Sequence, residues 1–276
     1  MTTSGFASAT VLAFGLIALP VSAGNEKNYT YLALGDSVAF GYDPTVTVPS
    51  PDQYTGYPEI VASKLNLLNS KKEINAACPG QSSLTFLAGG VDIGCEPFKA
   101  AVGLHTNYEG TQASFAIDQL LTNRKIDLVT LSIGGNDLSL LQASCSNSPD
   151  FAMCVQEGLP AVLNQYGQNL TAILTAIRMT GKYDGRLVLL KYYSPSADPL
   201  FQQAVSALNG VMEQVGSQFG AKFADGFAAY YFASMAYGGD PCEAGLLIRL
   251  SSTACDIHPS PKGRDLLAAA VLLALR

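Results

Sequence analysis

Two kinds of apolar pattern alternate along the chain. Short, almost continuous apolar runs are typical of strands buried on both faces, and apolar positions recurring every three or four residues are typical of helices. The pattern predicts strands at 29–34, 73–77, 126–133, 186–192 and 221–225, and helices at 57–68, 111–123, 159–180, 199–219 and 261–275.

This alternation of strands and helices predicts the fold class. Doubly buried strands joined through helices form a parallel sheet covered on both sides. We therefore expect one domain, residues 24–276, built as a three-layer α/β/α sandwich with a central parallel sheet. Ligands of such open sheets bind beyond the carboxyl ends of the strands, so candidate chemistry is sought there.

Composition narrows the possible partners. Of 276 residues 48% are hydrophobic and only 14% are charged, with a net charge of −6. No cluster of Lys and Arg stands out, which disfavours nucleic acid and an anionic membrane surface as partners.

The first 23 residues resemble an export signal. Residues 11–20 (VLAFGLIALP) form a short apolar run, and small residues follow at 21–23, which places cleavage after Ala23. No Lys or Arg precedes the run, so the terminal amine alone supplies the positive charge. The alternative is an uncleaved anchor, which the shortness of the run disfavours. We expect a secreted, extracellular protein with no stable membrane insertion.

Six cysteines fit an exported protein. With only two histidines and no C-x-x-C pair, they do not predict a zinc site. Six cysteines allow 15 pairings, and their grouping along the chain favours three local ones: Cys78–Cys95, Cys145–Cys154 and Cys242–Cys255. Six reduced, buried thiols are the alternative.

Reactive residue types follow several of the predicted strands. Gly35-Asp36-Ser37 follows the first strand, Cys78-Pro79-Gly80 the second and Gly134-Gly135-Asn136-Asp137 the third, and Asp256-Ile257-His258-Pro259 precedes the last helix. Because carboxyl ends of parallel strands meet at one edge, we expect these segments to come together.

Together these segments supply the parts of a serine hydrolase. Ser37 is a candidate nucleophile and His258 a candidate general base. A carboxylate beside the histidine fixes its tautomer and stabilises the imidazolium. The Ser37 N–H, the Gly80 N–H and the Asn136 side chain are three candidate donors to an oxyanion.

The four segments, in this order, resemble the sequence blocks of the GDSL, or SGNH, hydrolase family. They span residues 35–259, nearly the whole mature chain. The resemblance implies a flavodoxin-like sandwich and ester hydrolysis through an acyl-enzyme, with no metal or organic cofactor. It also implies Ser37 as nucleophile, Gly80 and Asn136 in the oxyanion hole, and His258 as base.

One position departs from the family pattern. The family has Asp-x-x-His, but here Cys255 lies three residues before the histidine and Asp256 lies two before. Asp256 reaches Nδ1 in a shortened turn, or a backbone carbonyl near Cys255 takes its place and leaves a dyad. We favour Asp256. The cysteine pairs would also tether two catalytic loops, since Cys78 is near Gly80 and Cys255 is next to Asp256.

Other functions are compatible with the same residues. The substrate is a small-molecule or lipid ester, and the chain is expected to be a monomer. An acyltransferase has the same machinery, with an alcohol in place of water. A non-catalytic secreted binding module on the same fold is the second class. The Pro- and Tyr-rich segment 42–57 is either a solvated loop or a rim for substrate.

Overall fold

The structure, a computed structural model, describes residues 29–68, 72–90 and 94–276. The predicted signal at 1–23 lies outside them. Parallel strands form a sheet in the order β2-β1-β3-β4-β5. They are β1 (Thr30–Gly35), β2 (Glu73–Asn75), β3 (Ile126–Ser132), β4 (Arg186–Lys191) and β5 (Lys222–Asp225).

Helices cover both faces of this sheet, which confirms the predicted three-layer α/β/α sandwich. Helices α2, α9 and α10 pack together on one face, and α3, α5, α6, α7 and α8 on the other. The helices are α1 (Ser37–Phe40), α2 (Tyr57–Lys64), α3 (Ser83–Ala88), α4 (Cys95–Ala101), α5 (Gln112–Thr122), α6 (Gly135–Cys145), α7 (Phe151–Thr175), α8 (Pro199–Gln218), α9 (Gly226–Ser234) and α10 (Pro261–Ala274).

Burial and capping explain why these elements form where they do. Every residue of β1 is buried, and all of β3 except Asp127 is buried, as expected of inner strands covered on both faces. Polar side chains cap several helices directly after strands or loops, and a cap is worth about 1 kcal/mol. Asp36, Asp150, Asp198, Asp225 and Ser260 each accept from a backbone N–H of the first turn.

A small antiparallel hairpin precedes the last helix and was not predicted. Its strands are β6 (Leu247–Arg249) and β7 (Cys255–Pro259). The hairpin runs into α10 through Ser260, whose N–H donates to Leu246 O at 2.9 Å. It therefore carries the Asp256-Ile257-His258 segment to the carboxyl end of the parallel sheet.

Helix α7 begins eight residues earlier than predicted. It starts at Phe151, with Asp150 as N-cap, and Pro160 lies inside it. The helix ends at Thr175 and a π-helical turn, Ala176–Thr180, completes the segment. Glycine and proline both disfavour a helix interior, yet α7 continues through Gly158 and Pro160.

Candidate active site

Ser37 lies at the tight turn between β1 and α1. Gly35 has a φ of +139°, and a Cβ there would lie 2.2 Å from Ser132 O, so no other residue fits. Asp36 follows as the N-cap, accepting from Val38 N at 3.0 Å. Ser37 is the first residue of α1, so its own N–H has no acceptor within the helix.

His258 lies directly against this serine. Its Nε2 is 2.8 Å from Ser37 Oγ. On the opposite side of the ring, Nδ1 contacts Asp256 Oδ1, and the same oxygen accepts from His258 N at 2.9 Å. The shortened Asp-x-His turn thus brings a carboxylate, rather than a backbone carbonyl near Cys255, to Nδ1.

The pKa of Asp256 reflects this contact. Burial acts to raise it, but the hydrogen bonds and charge of His258 outweigh burial and hold the pKa below the ordinary value of an aspartate. Asp256 is therefore ionised at neutral pH, which is the form that stabilises an imidazolium.

The third group of predicted residues comprises the candidate oxyanion donors Asn136 and Gly80. Asn136 lines the same cavity as Ser37 and His258. Its Nδ2 donates to Gln81 O at 2.9 Å, and because an amide carries two N–H groups, one remains for a ligand. Gly80, next to Gln81, has a φ of +83°, which glycine adopts without steric cost.

The segment 42–57 contacts the histidine at its first residue. The Tyr42 ring lies 4.9 Å from the imidazole of His258, edge to face, and stacks on Tyr54 at 6.0 Å. Asp43 lies 3.6 Å from the guanidinium of Arg264. This geometry favours the rim over the solvated loop.

The three disulfides of the structure join Cys78 to Cys95, Cys145 to Cys154 and Cys242 to Cys255. In the described ranges no group of three or more His, Cys, Asp or Glu side chains is arranged to hold a metal ion. Nor does any helix of the described chain combine the length and apolarity needed to span a membrane.

The sequence as a whole matches a known family. Residues 33–266 fit the model of the GDSL-like Lipase/Acylhydrolase family. The chain belongs to this family. The match takes in all four segments at the carboxyl edge of the sheet, and membership supports ester hydrolysis as the class of activity.

Solved structures of similar fold agree with the family. A phospholipase A1 from Streptomyces albidoflavus is 17% identical, with a TM-score of 0.56 over 90% of this chain and 98% of the other. An acetylxylan esterase from Geobacillus stearothermophilus is 18% identical, with a TM-score of 0.54 over 90% and 96%. A lipase from a goat rumen metagenome is 19% identical, with a TM-score of 0.56 over 89% and 97%. No protein of curated function matches at a significant level.

In this GDSL-like hydrolase two buried glutamines connect the parts of the site, and sequence reasoning missed both. Gln112 Oε1 accepts from Gly35 N at 2.6 Å, and its Nε2 donates to Gly35 O at 2.9 Å. The same Nε2 lies 3.4 Å from Gln81 Oε1. The pair thus links the serine turn to the loop whose carbonyl holds Asn136.

Tyr192, which follows β4, was also missed. Its hydroxyl donates to Asp36 Oδ2, and both side chains are buried. Burial raises the pKa of Asp36 to about 6, although the hydrogen bonds from Tyr192 and Val38 act to lower it. A tyrosine at a strand end gives no signal that separates this role from core packing.

Proposed function

We propose that this GDSL-like hydrolase cleaves carboxylic esters through an acyl-enzyme on Ser37. The observation that carries the proposal is the continuous contact from Ser37 Oγ to His258 Nε2 at 2.8 Å and from His258 Nδ1 to Asp256. The nucleophile therefore contacts its general base, and the base contacts the carboxylate that orients it.

In the first step His258 takes the proton of Ser37 as Oγ attacks the ester carbonyl. The imidazolium that forms is stabilised by ionised Asp256. The carbonyl oxygen becomes an oxyanion and accepts from Ser37 N–H, Gly80 N–H and Asn136 Nδ2. His258 then gives its proton to the departing alkoxide, which leaves an acyl ester on Ser37.

A water molecule completes the cycle in the second step. His258 takes a proton from the water as its oxygen attacks the acyl carbonyl, and returns that proton to Ser37 Oγ when the acid is released. The residues named supply every proton transfer, so the proposed reaction uses no metal or organic cofactor.

We also propose that the protein acts outside the cell. The support is the export-like segment 1–23, together with the three disulfides, which persist in oxidising compartments. N-terminal sequencing of the secreted product tests this proposal: a mature chain beginning at Gly24 supports it, and retention in the cell contradicts it.

Kinetics of active-site variants test the proposed chemistry. We expect hydrolysis of p-nitrophenyl butanoate to be abolished in Ser37→Ala and His258→Ala. We expect Asn136→Ala to lower kcat about 10²- to 10³-fold, the usual effect of removing one oxyanion donor. His105→Gln is the matched control because His105 is the other histidine of the chain and lies outside the cavity that Ser37 and His258 line. Its Nε2 lies 3.0 Å from Phe40 O, a contact that glutamine can keep, and we expect activity within about threefold of the wild type, or ~0.7 kcal/mol.

The competing functions give different results in the same assay. An acyltransferase forms a new ester when an alcohol is added and releases little free acid in water. A binding module is folded but inert on every ester. Either outcome, or full activity in Ser37→Ala, contradicts the proposal.

A further inference from the structure

A cavity opens beside Ser37 between two helices. One wall is a stripe of α6 with the spacing i, i+3, i+4, i+7, which places its side chains on one helical face. These residues are Gly135, Leu138, Ser139 and Gln142. The stripe begins at Gly135, next to the candidate oxyanion donor Asn136, and continues along α6.

The facing wall is a stripe of α8 with the same spacing. It consists of Phe201, Ala204, Val205 and Leu208. All four are apolar, and the last three are buried. Tyr192 and Tyr193 close the space between the two helices. The cavity is therefore a slot that starts at the nucleophile, with an apolar wall on α8 and Leu138 facing it among the polar side chains of α6.

The position of His258 decides which half of an ester enters this slot. The histidine must protonate the leaving alcohol, so the alcohol lies on its side of Ser37. His258 lines the cavity too, but it lies on β7, which leads into α10, and α10 packs with α2 and α9 on one face of the sheet. Helices α6 and α8 belong to the opposite face. The part of the cavity between α6 and α8 therefore lies away from His258, on the acyl side of the scissile bond.

The volume of the slot sets the acyl length. The whole cavity, which includes the space at Ser37 and His258, has a volume of about 90 Å³. A cavity of about 150 Å³ holds benzene, or about 25 Å³ per carbon, so this cavity takes about three to four carbons. Counted with the carbonyl carbon, that corresponds to a propanoyl or butanoyl group.

The charge of the slot sets the acyl chemistry. Its described lining contains no Lys or Arg, and the nearest acid is the buried Asp36. An acyl group that carries a carboxylate would lose hydration without gaining a partner. An uncharged hydrocarbon chain instead covers apolar surface at no such cost.

We propose that this slot binds the acyl chain, and that Leu138 and Ala204 limit it, so that the preferred substrates are esters of uncharged acids of about four carbons. The inference rests on the proposed function, because it assumes acylation of Ser37.

An acyl series on one alcohol tests the length. We expect kcat/KM for p-nitrophenyl esters, divided by each ester's rate with hydroxide, to rise about 15-fold from acetate to butanoate, since butanoate adds two methylenes and each buried methylene is worth about fourfold. Carbons beyond the slot lie in water, so we expect no gain from hexanoate to dodecanoate. A steady rise to dodecanoate, or acetate as the best substrate, would overturn the proposal.

Variants of the two walls test the residues. Ala204→Leu fills the slot, and we expect it to remove the gain in kcat/KM from acetate to butanoate, which is about 15-fold in the wild type. Leu138→Ala enlarges the slot, and we expect its optimum to move to hexanoate. Ala207→Leu is the matched control, since Ala207 lies on α8 but outside the slot, and its profile should equal that of the wild type.

Acetate separates failure of the slot from failure of the chemistry. If acetate is cleaved by a Ser37-dependent reaction but the acyl profile of Ala204→Leu is unchanged, the slot does not hold the acyl chain and the proposed function stands. If Ala204→Leu instead changes the preference among acetates of different alcohols, the slot holds the alcohol. If no ester is cleaved by the folded protein, both proposals fail.

Discussion

Ser37 follows a strand buried inside the five-stranded sheet, whereas His258 lies on a two-stranded hairpin at the edge of the fold. The Ser37 turn (residues 35–41) is held by buried polar contacts to Gln112 and Tyr192. The His258 hairpin (β6 and β7) is held by Cys242–Cys255 and by single hydrogen bonds from Tyr193 to Ile257 O and from Arg264 to Pro259 O.

Because of this difference, we expect the two regions to respond differently when their contacts are removed. Buried polar groups cost stability when a partner is removed, so the Ser37 turn cannot be loosened without weakening the core. The hairpin joins the core through β6, where Leu247 and Ile248 are buried, whereas β7 is more exposed, with Ile257 52% exposed. Strand β7 can be loosened while the sandwich stays folded, and activity then falls before structure does.

The largest effect is expected at Asp256, on the hairpin. Asp256→Asn removes the charge that stabilises the imidazolium, and kcat should fall about 10³- to 10⁴-fold, as in other triads. Asp240→Asn is the matched control, because Asp240 only accepts backbone N–H groups of a nearby turn. A loss below about tenfold in kcat would mean that Asp256 does not orient His258.

The next largest effect is expected from removing the Cys242–Cys255 disulfide of the hairpin, and we compare it with removing the Cys145–Cys154 disulfide between α6 and α7. The two close loops of similar length, 13 and 9 residues, so removing either should cost about 3 kcal/mol of unfolding free energy. Replacing Cys242 and Cys255 by alanine should also lower kcat about tenfold through misplacement of His258. Replacing Cys145 and Cys154 should leave kcat within about twofold.

Mild reduction of the wild type should show the same order. Activity should be lost at a lower dithiothreitol concentration than helix content, followed by circular dichroism. Equal loss of both in parallel, or equal kcat losses in the two double variants, would remove the distinction between the hairpin and the core.

A third effect is the pH dependence of stability, which has opposite signs for Asp36 and Asp256. Asp36 is protonated more readily when folded, with a pKa of about 6 against an ordinary 3.8. Its contribution to stability is therefore complete below pH 3.8 and is lost as the pH rises through 6. The pKa of Asp256 is lowered, so its contribution is present above the ordinary value and is lost as the pH falls.

Asp36→Asn isolates the first of these contributions, since asparagine keeps the cap and cannot ionise. Between pH 4 and 6 the wild type should lose up to about 3 kcal/mol of unfolding free energy relative to Asp36→Asn, at 1.4 kcal/mol per unit. Urea denaturation at several pH values measures the difference. If the difference in unfolding free energy between the wild type and Asp36→Asn is the same from pH 4 to pH 6, Asp36 is ionised in the folded protein and the prediction is wrong.

The smallest effect is expected at Gln112. Gln112→Met leaves the N–H of Gly35 without its partner, whereas Gly35 O keeps the bond from Cys78 N–H at 3.0 Å. We expect a cost of about 2 kcal/mol in stability. We also expect kcat to fall about tenfold with KM unchanged, because the oxyanion donors shift by a fraction of an ångström. Gln119→Met on the same helix is the control. If kcat changes equally in Gln112→Met and Gln119→Met, Gln112 contributes to stability but does not position the oxyanion donors.

The sequence predicted the sheet more fully than the hairpin. Strands β1, β3 and β4 are apolar enough to be recognised without context. β6 and β7 are short and contain charged residues, so their pairing depends on the Cys242–Cys255 link and on packing against α10. Helix α9 was missed because residues 226–234 (GFAAYYFAS) are apolar all round and show no helical period.

The candidate site divides in the same way. The sequence predicts the residues that lie in recognisable segments and whose side chains suit a role in catalysis, which are Ser37, Asn136 and His258. Gln112 and Gln81 are single amides within a helix and a loop. Only the fold shows that Gln112 is buried against Gly35 and that Gln81 connects Gln112 to Asn136. The stripe 201, 204, 205, 208 reads as an ordinary core face, and its role as a wall appears only when α6 lies opposite.

Covalent trapping tests the central claim most directly. The protein is treated with an alkyl fluorophosphonate, and the intact mass and the modified peptide are measured. The account predicts one adduct per chain, on Ser37, absent in Ser37→Ala and formed far more slowly in His258→Ala. An adduct on another residue, or equal labelling of Ser37→Ala, would contradict the assignment of Ser37 as the nucleophile.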